Sequence, residues 1–231
     1  MSTPVVMITG ALTGIGRATA LGLRSRRRTD CRLRPPRGNG QGAELRTLGV
    51  EAEFVVADVR HDDEVRSLVD QTVKRVGRLD VAVNNAGTED HLGPVTEQST
   101  DSYAATFDTN VLGTLLSLNS VMVAQGMAAL STCRPPWVRS VRRARQCTRQ
   151  QARGRRTDEV SGARSCGSGV RVNAVAPGPI ETEMLNRFTG SAVGKAGLVA
   201  GVAQTIVFLA SDKAPFLTGQ SIAVDGGKLA S

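Results

Sequence analysis

Val5-Val6-Met7-Ile8-Thr9-Gly10-Ala11-Leu12-Thr13-Gly14-Ile15-Gly16 sets the architecture of this chain. Its four consecutive apolar residues read as a buried strand. Glycines follow at 10, 14 and 16, and then the helix-forming run Arg17-Ala18-Thr19-Ala20-Leu21. A strand, a glycine loop and a helix start together make a phosphate site. Gly10 permits the tight turn, Gly14 lets backbone N–H groups approach a pyrophosphate, and Gly16 lets the helix pack on the strand. The helix N-terminus adds a partial positive charge. The spacing is G-x-x-x-G-x-G, not G-x-G-x-x-G, and a glycine triplet alone also suits an ordinary turn. Its place behind an apolar strand favours the phosphate reading.

Outward from that stretch, strands and helices alternate wherever the chain is legible. Phe54-Val55-Val56-Ala57 reads as a short strand ending in Asp58-Val59. Asp62-Asp63-Glu64 opens a helix with acids in its first turn, and Val65, Leu68, Val69, Val73 and Val76 form its apolar stripe. Leu79-Asp80-Val81-Ala82-Val83 is the next strand, running into the turn-prone Asn84-Asn85-Ala86-Gly87. In open parallel sheets ligands bind at such C-terminal strand ends.

Thr100-Asp101 can cap a long helix through Leu118, in which Tyr103, Phe107, Val111 and Leu115 recur every four residues. Asn110 shares their side, where an amide must find partners or cost a few kcal/mol; on this ground alone it is equally a satisfied structural Asn. Val170 to Val175 alternates as a strand, and Ala176-Pro177-Gly178-Pro179 stops it. Ile180-Glu181-Thr182 begins a segment that reads as mobile, Gln204–Leu209 reads as helix, and Thr218–Gly227 as a last strand with its turns. The alternation predicts a parallel α/β sheet.

The chain of 231 residues is the length of one domain, 1–231. No apolar run is long enough for a membrane span, and no secretory signal is expected. The net charge of +8 is unevenly placed. Residues 24–37 hold seven arginines and residues 134–164 hold ten, against three acids, Asp30, Asp158 and Glu159. These windows sum to +14 and the remainder to −6. Trp137 and both Pro-Pro pairs lie within them, and Cys31, Cys133, Cys147 and Cys166 lie in or beside them. The cysteines show neither metal-ligand spacing nor a secreted framework and read as reduced. Only four lysines occur, at 74, 195, 213 and 228.

Taken together, these motifs resemble the short-chain dehydrogenase/reductase family. Thr9-Gly10-x-x-x-Gly14-Ile15-Gly16 is similar to its cofactor glycine motif, and Asp58-Val59 to its adenine contact. Asn84-Asn85-Ala86-Gly87 is similar to its N-N-A-G, Asn110-Val111-x-Gly113 to its helix asparagine, and Pro177-Gly178-Pro179-Ile180-x-Thr182 to the loop that holds the nicotinamide carboxamide. The resemblance implies a Rossmann-type, doubly wound parallel sheet in three α/β/α layers. It implies NAD(P)-dependent hydride transfer between alcohol and carbonyl. It assigns Gly10, Thr13, Gly14, Ile15, Gly16, Asp58, Val59, Asn85, Ala86, Gly87, Pro177, Gly178, Ile180 and Thr182 to the cofactor and Asn110 to the catalytic water. It further implies a small-molecule alcohol or carbonyl substrate, a homodimer or homotetramer, and a cytoplasmic protein without metal, membrane or nucleic-acid partner.

The departure lies in the catalytic core. The family relies on a serine after its fifth strand and a Tyr-x-x-x-Lys on the next helix. Here Tyr103 is the only tyrosine and lies too early, and no lysine stands between Lys74 and Lys195. Arginine, cysteine, tryptophan and proline rising together without lysine is what GC-rich DNA gives in a wrong frame. Codons for Leu23 to Arg37, read one base later, can spell F-A-A-E-G-A-Q-I-V-V-S-G-R-R. Those for Ala128 to Pro136, read one base earlier, can spell S-I-V-N-L-S-S-T-M, and re-reading toward Gly167 permits a tyrosine and lysine at the family's spacing. The expectation is therefore that residues 23–42 and 127–167 are frame-shifted relative to a parent enzyme, which resequencing the gene tests. The restored S-G-R-R slightly favours NADP, because arginine there suits a 2′-phosphate. About ten residues also read as absent between Val202 and Ala203.

Three readings stay open: an oxidoreductase, a cofactor-binding relic without catalysis, and a nucleic-acid binder using the arginine windows. Aromatic interleaving is minimal and no binding module is visible, which disfavours the last. Taken literally, Arg-rich segments in place of two apolar strands resist burial.

Overall fold

The computed structural model describes residues 4–24, 52–89, 94–124, 128–132, 170–189 and 197–227. Residues 25–42 of the first window expected to be frame-shifted, the window 133–169 and the re-read serine, tyrosine and lysine positions beyond Thr132 lie outside them.

Five parallel strands form the described sheet: β1 Val6–Thr9, β2 Val81–Asn84, β3 Ala128–Thr132, β4 Arg171–Pro177 and β5 Ser221–Val224, side by side in chain order. Thr9 pairs with Asn84, and Asn84 with Ser131. The C-terminal ends of the first three strands therefore share one rim. Helices α1 Gly14–Arg24, α2 Asp62–Val76, α3 Thr100–Phe107, α4 Gly113–Ala124, α5 Glu183–Thr189 and α6 Val199–Leu209 accompany them.

Successive residues of a strand face opposite ways, and β1 uses both faces. Val6 and Ile8 join Ala20 and Leu23 of α1 and Val202, Ile206 and Leu209 of α6. Val5 and Met7 join Leu68 and Val69 of α2 and Val121 of α4. A strand with helices on both sides must be apolar at every position, and this is why the opening run does not alternate. The result is the three-layer, Rossmann-type doubly wound arrangement.

Several expectations are corrected. Residues 54–57 form no strand among the described residues. Phe54 still leans on the α1/α6 core while Val55 and Ala57 lean on the α2/α4 core, so the alternation is present without membership of the described ladder. The stripe of α2 buries Val65, Leu68, Val69 and Thr72 but leaves Val76 45% exposed at its end. The window expected to spoil the central sheet from residue 127 supplies β3, paired to β2 and β4 as Ala-Ala-Leu-Ser-Thr stands. These five residues carry no charge, and the arginines begin only at Arg134. Val202 and Ala203 lie inside the uninterrupted α6, and both side chains are buried.

The long helix expected from Thr100 is capped instead by Ser99, whose side chain accepts from the Ser102 N–H. It is interrupted by a π-type turn at Asp108–Leu112 before α4. Each extra residue in such a turn rotates the helix beyond it by about 100°. Beyond the turn Leu115 is exposed; before it Tyr103 is exposed as well and stacks on Phe107 at 4.2 Å. Ile180, where a segment expected to be mobile begins, is buried and bridged to Gly197.

Candidate functional site: a crevice at the rim of the sheet

The crevice begins where β1 and β2 end together. The Thr9 hydroxyl accepts from the backbone N–H groups of Asn85 and Ala86, both at 3.0 Å. The Asn85 side-chain amide donates to the carbonyls of Thr9 at 3.1 Å and Gly10 at 3.0 Å. Four hydrogen bonds thus tie residues some 75 positions apart, and they satisfy the backbone groups that a turn would leave bare. Gly10 has φ +69°, and a side chain there would come within 2.9 Å of Ala86 Cα. A Cβ on Gly16 would overlap the Gly10 carbonyl oxygen. The first turn of α1 therefore presses on the loop in a way only glycine allows.

Beside this knot lies a cavity of about 430 Å³ lined by Gly10, Asp58, Val59, Arg60, Ala86 and Gly87, among others. That is within the range for small-molecule sites, ~300–1,000 Å³. The Asp58 N–H donates to Glu64 Oε2 at 2.7 Å. Its carboxylate is gripped by Arg60: Nε donates to Oδ1 at 3.0 Å and Oδ2 at 3.1 Å, and a terminal nitrogen donates to Oδ2 at 2.7 Å. These bonds lower the Asp58 pKa to about 2, against a smaller opposing effect of burial. The cavity wall thus holds an Asp58–Arg60 ion pair with the carboxylate ionised.

Behind Gly87 stands Asn110. Its Oδ1 accepts from the Thr88 N–H and its Nδ2 donates to the Thr88 carbonyl, both at 2.8 Å. The amide is satisfied, as a polar group on that side requires. The π-type turn that places it brings Gly113 against Val59, where a Cβ would meet Val59 Cγ2 at 2.8 Å. One turn thereby braces both Val59 and Thr88 of the cavity rim.

Another part of the rim, outside the cavity lining, comes from the end of β4, at Pro177. The Gly178 N–H donates to the Val224 carbonyl at 3.0 Å, and Gly197 N–H to Pro179 O at 2.8 Å. Thr182 caps α5, accepting from the Leu185 N–H at 3.2 Å. Its methyl would lie 3.2 Å from a Cβ on Gly14, so this wall touches the glycine loop. The side chains of Ile15 and Ile180 belong to the α1/α6 core, which leaves their backbone as the part that could face a ligand. Thr13 is exposed, and its carbonyl accepts from Arg17 N–H at 3.1 Å.

Of the residues expected at the cofactor, Gly10, Asp58, Val59, Ala86 and Gly87 line the cavity together. Gly14 and Gly16 adjoin it through the loop, with Thr13 and Ile15 beside them, and Asn85 knots it from behind. Pro177, Gly178, Ile180 and Thr182 reach it only through the Gly14–Thr182 contact. Sequence reasoning assigns no role to Arg60, Glu64, Thr88 or the Thr9 side chain. Glu64 reads as a helix-start acid and Thr9 as the end of an apolar run; no local pattern marks Arg60 or Thr88. Among the described residues no three His, Cys, Asp or Glu side chains are grouped to hold a metal, and no helix is long and apolar enough to cross a membrane.

Comparison with known proteins matches residues 4–129 to the short chain dehydrogenase family and residues 161–228 to the family described as enoyl-(acyl carrier protein) reductase. The chain is 32% identical over 249 residues to cis-4-hydroxycyclohexanecarboxylate dehydrogenase of Sinomonas cyclohexanicum, covering 96% of this chain and 95% of the relative. It is 32% identical over 258 residues to the 3-oxoacyl-[acyl-carrier-protein] reductase FabG of Thermotoga maritima, covering 96% of each. Among solved structures it is similar to ElxO with NADP bound, at a TM-score of 0.86 and 26% identity over the whole of both chains.

Proposed function

The chain belongs to the short-chain dehydrogenase/reductase family of NAD(P)-dependent oxidoreductases, and on that premise we propose that it binds NADP or NAD in the crevice and transfers hydride between an alcohol and a carbonyl. The observation that carries this reading is the Thr9–Asn85–Gly10 knot. It ties the glycine loop to Ala86-Gly87, and these line one cavity with Asp58.

The residues fit such a cofactor. The glycine loop and the N-terminus of α1 offer backbone N–H groups and partial positive charge to a diphosphate. Glycine at 10 and 16 leaves no side chain in the way. Asp58, ionised at any pH well above 2, accepts from the exocyclic amine of adenine, with Val59 alongside. Pro177, Gly178, Ile180 and Thr182 hold the nicotinamide end. When bound, the cofactor supplies or accepts the hydride. Asn110, fixed by Thr88 on both sides of its amide, holds a water of the proton relay. NADP is slightly favoured by the re-read S-G-R-R, and the NADP bound in ElxO agrees with it. The working unit is a single domain, 1–231, in a cytoplasmic homodimer or homotetramer.

Titration with NADPH and NADH by fluorescence, followed by turnover with 3-oxoacyl thioesters and cyclic ketones, tests the reading. These carbonyl classes follow from the names of the relatives. Saturable binding with turnover supports it; no binding of either nucleotide overturns it. Binding without turnover selects the second reading, a non-catalytic relic. That reading draws support from Tyr103, the chain's only tyrosine, which stacks on Phe107 and is not among the cavity-lining residues.

A further inference from the structure

We infer that Asp225, the residue that follows β5, is a positioning residue for the nicotinamide end of the cofactor: its side chain fixes the strand end on which Gly178 is seated. This rests on the reading of Pro177, Gly178, Ile180 and Thr182 as the residues that hold the nicotinamide.

Three observations carry it. First, the β4–β5 ladder ends with Pro177 opposite Val224, and the Gly178 N–H donates to the Val224 carbonyl at 3.0 Å. One step beyond the ladder the two backbones close in on each other. A Cβ on Gly178 would lie 2.8 Å from both Cα and Cβ of Asp225 and 3.2 Å from its carbonyl oxygen. Paired strands run about 4.8 Å apart, so this is a seat that only a bare backbone at 178 takes. Second, Asp225 Oδ1 accepts from the Gly227 N–H at 2.9 Å, closing a turn in which Gly226 and Gly227 have φ +65° and +83°. An aspartate that takes the N–H two residues on holds its own backbone in that turn. Third, the segment beyond Gly178 is clasped on its far side. The Gly197 N–H donates to the Pro179 carbonyl at 2.8 Å, and the Glu181 N–H to the Gly197 carbonyl at 3.0 Å. Gly178 is therefore the joint between the sheet and the clasp, and the end of β5 is its seat.

A joint of this kind sets direction. Glycine at 178 has no side chain to restrict its own φ and ψ, so the angle at which Pro179, Ile180 and Thr182 leave the sheet depends on what Gly178 leans on. With the Asp225–Gly227 bond gone, two successive glycines give the chain after β5 wide freedom, and the seat shifts. The backbone bonds at Gly197 persist, so the segment stays folded but meets the ligand in a displaced position. Displacement weakens the hold on the group bound there. The Thr9–Asn85 knot that fixes the glycine loop is built without Asp225 and is left as it was.

The test compares NADPH with 2′-phospho-ADP-ribose, the same nucleotide without its nicotinamide ring, by calorimetric titration of the full chain. NADH and ADP-ribose form the pair should the protein bind NADH more tightly. The unaltered protein is expected to prefer the complete cofactor by ~10-fold or more, the contribution of the held ring. In Asp225→Ala, affinity for the cofactor is expected to fall ~3–10-fold while that for the fragment moves less than ~2-fold, so the ratio shrinks. Asp225→Asn, whose amide oxygen accepts the same N–H, is expected to restore most of the ratio. Gly178→Ala, which crowds the same seat from the other side, is expected to lower it at least as far as Asp225→Ala. Thermal unfolding checks that each variant is folded, and Asp225→Glu, which keeps the charge but lengthens the arm, stands in should Asp225→Ala not fold. An unchanged ratio in the folded variants overturns the inference, as does an equal fall for cofactor and fragment, the mark of general loosening. Failure of Asp225→Asn to restore the ratio overturns it too. Equal binding of cofactor and fragment by the unaltered protein sinks the inference and leaves the nucleotide reading standing. If no nucleotide of either pair binds, the reading of the crevice itself falls.

Discussion

Two walls along the sheet rim, the β1–β2 wall that lines the cavity and the β4–α5 wall beside the glycine loop, are built by different means. At the β1–β2 wall, side-chain hydrogen bonds from Thr9 and Asn85 lock backbone to backbone across some 75 residues. The β4–α5 wall is held by short backbone pairs: Gly178 with Val224, and Gly197 with Pro179. Ile180 anchors that loop by burial. Substitutions in the first wall remove groups that have no substitute, whereas those in the second loosen a loop whose backbone bonds survive. The first should therefore govern whether the protein folds and binds nucleotide, and the second how tightly one end of the ligand is held.

Breaking the first wall at its tightest point gives the largest expected effect. Gly16→Ala drives a methyl into the Gly10 carbonyl oxygen, an overlap no rotamer relieves. We expect a loss above ~4 kcal/mol, or no soluble folded protein, by urea denaturation, together with loss of NADPH binding. A folded variant with unchanged affinity would show that the helix start can retreat from the loop. Asn85→Ala comes next. It leaves the Thr9 and Gly10 carbonyls without its amide, which should cost about 1–3 kcal/mol and weaken nucleotide binding in step. Full affinity despite lost stability would separate the knot from the site.

On the second wall, Thr182→Ala removes the cap of α5 and the methyl near Gly14. The expected loss is ~1 kcal/mol or less in stability, with KM for cofactor rising more than kcat falls. An effect equal to that of Asn85→Ala would erase the contrast between the walls.

The smallest effect is pH-linked. Asp58 is held at about 2, below its ordinary 3.8, chiefly by the Arg60 side-chain bonds. A depressed carboxylate stabilises the fold above its unfolded pKa, and that stability is lost as pH falls through the folded value. The stability gap between the unaltered protein and Arg60→Ala should thus be constant above about pH 4 and close toward pH 2; the exposed partner keeps it under ~1 kcal/mol. Denaturation curves at about pH 7, 4 and 2.5 check this, and a gap that widened in acid would contradict the assigned cause.

Much of the first wall is legible in the residues alone. The run Val5–Ile8 and the glycines at 10, 14 and 16 state their roles locally, since burial on both faces demands an unbroken apolar strand and a tight turn demands glycine. Asp62-Asp63-Glu64 likewise marks a helix that begins at Asp62. The α3–α4 region misleads because periodicity assumes a regular helix, and one π-type turn at Asp108–Leu112 resets which residues face inward. Residues 54–57 mislead differently, for the pattern reports alternation while a strand also needs a ladder. Asp58 stands out in the sequence but Arg60 does not, because an exposed arginine two positions on carries no pattern of its own.

Glycine spacing and apolar runs act through neighbouring residues. The order of letters was therefore enough to establish that a phosphate-gripping turn follows an apolar strand and opens a helix. It took the folded arrangement to reveal that Thr9 and Asn85 brace that turn, that Thr182 lies against it at Gly14, that Asn110 holds Thr88 beside the cavity, and that Arg60 grips the Asp58 carboxylate. The reason is geometric. Hydrogen bonds form within about 3 Å in space, and the separations along the chain that they close leave no trace in local pattern.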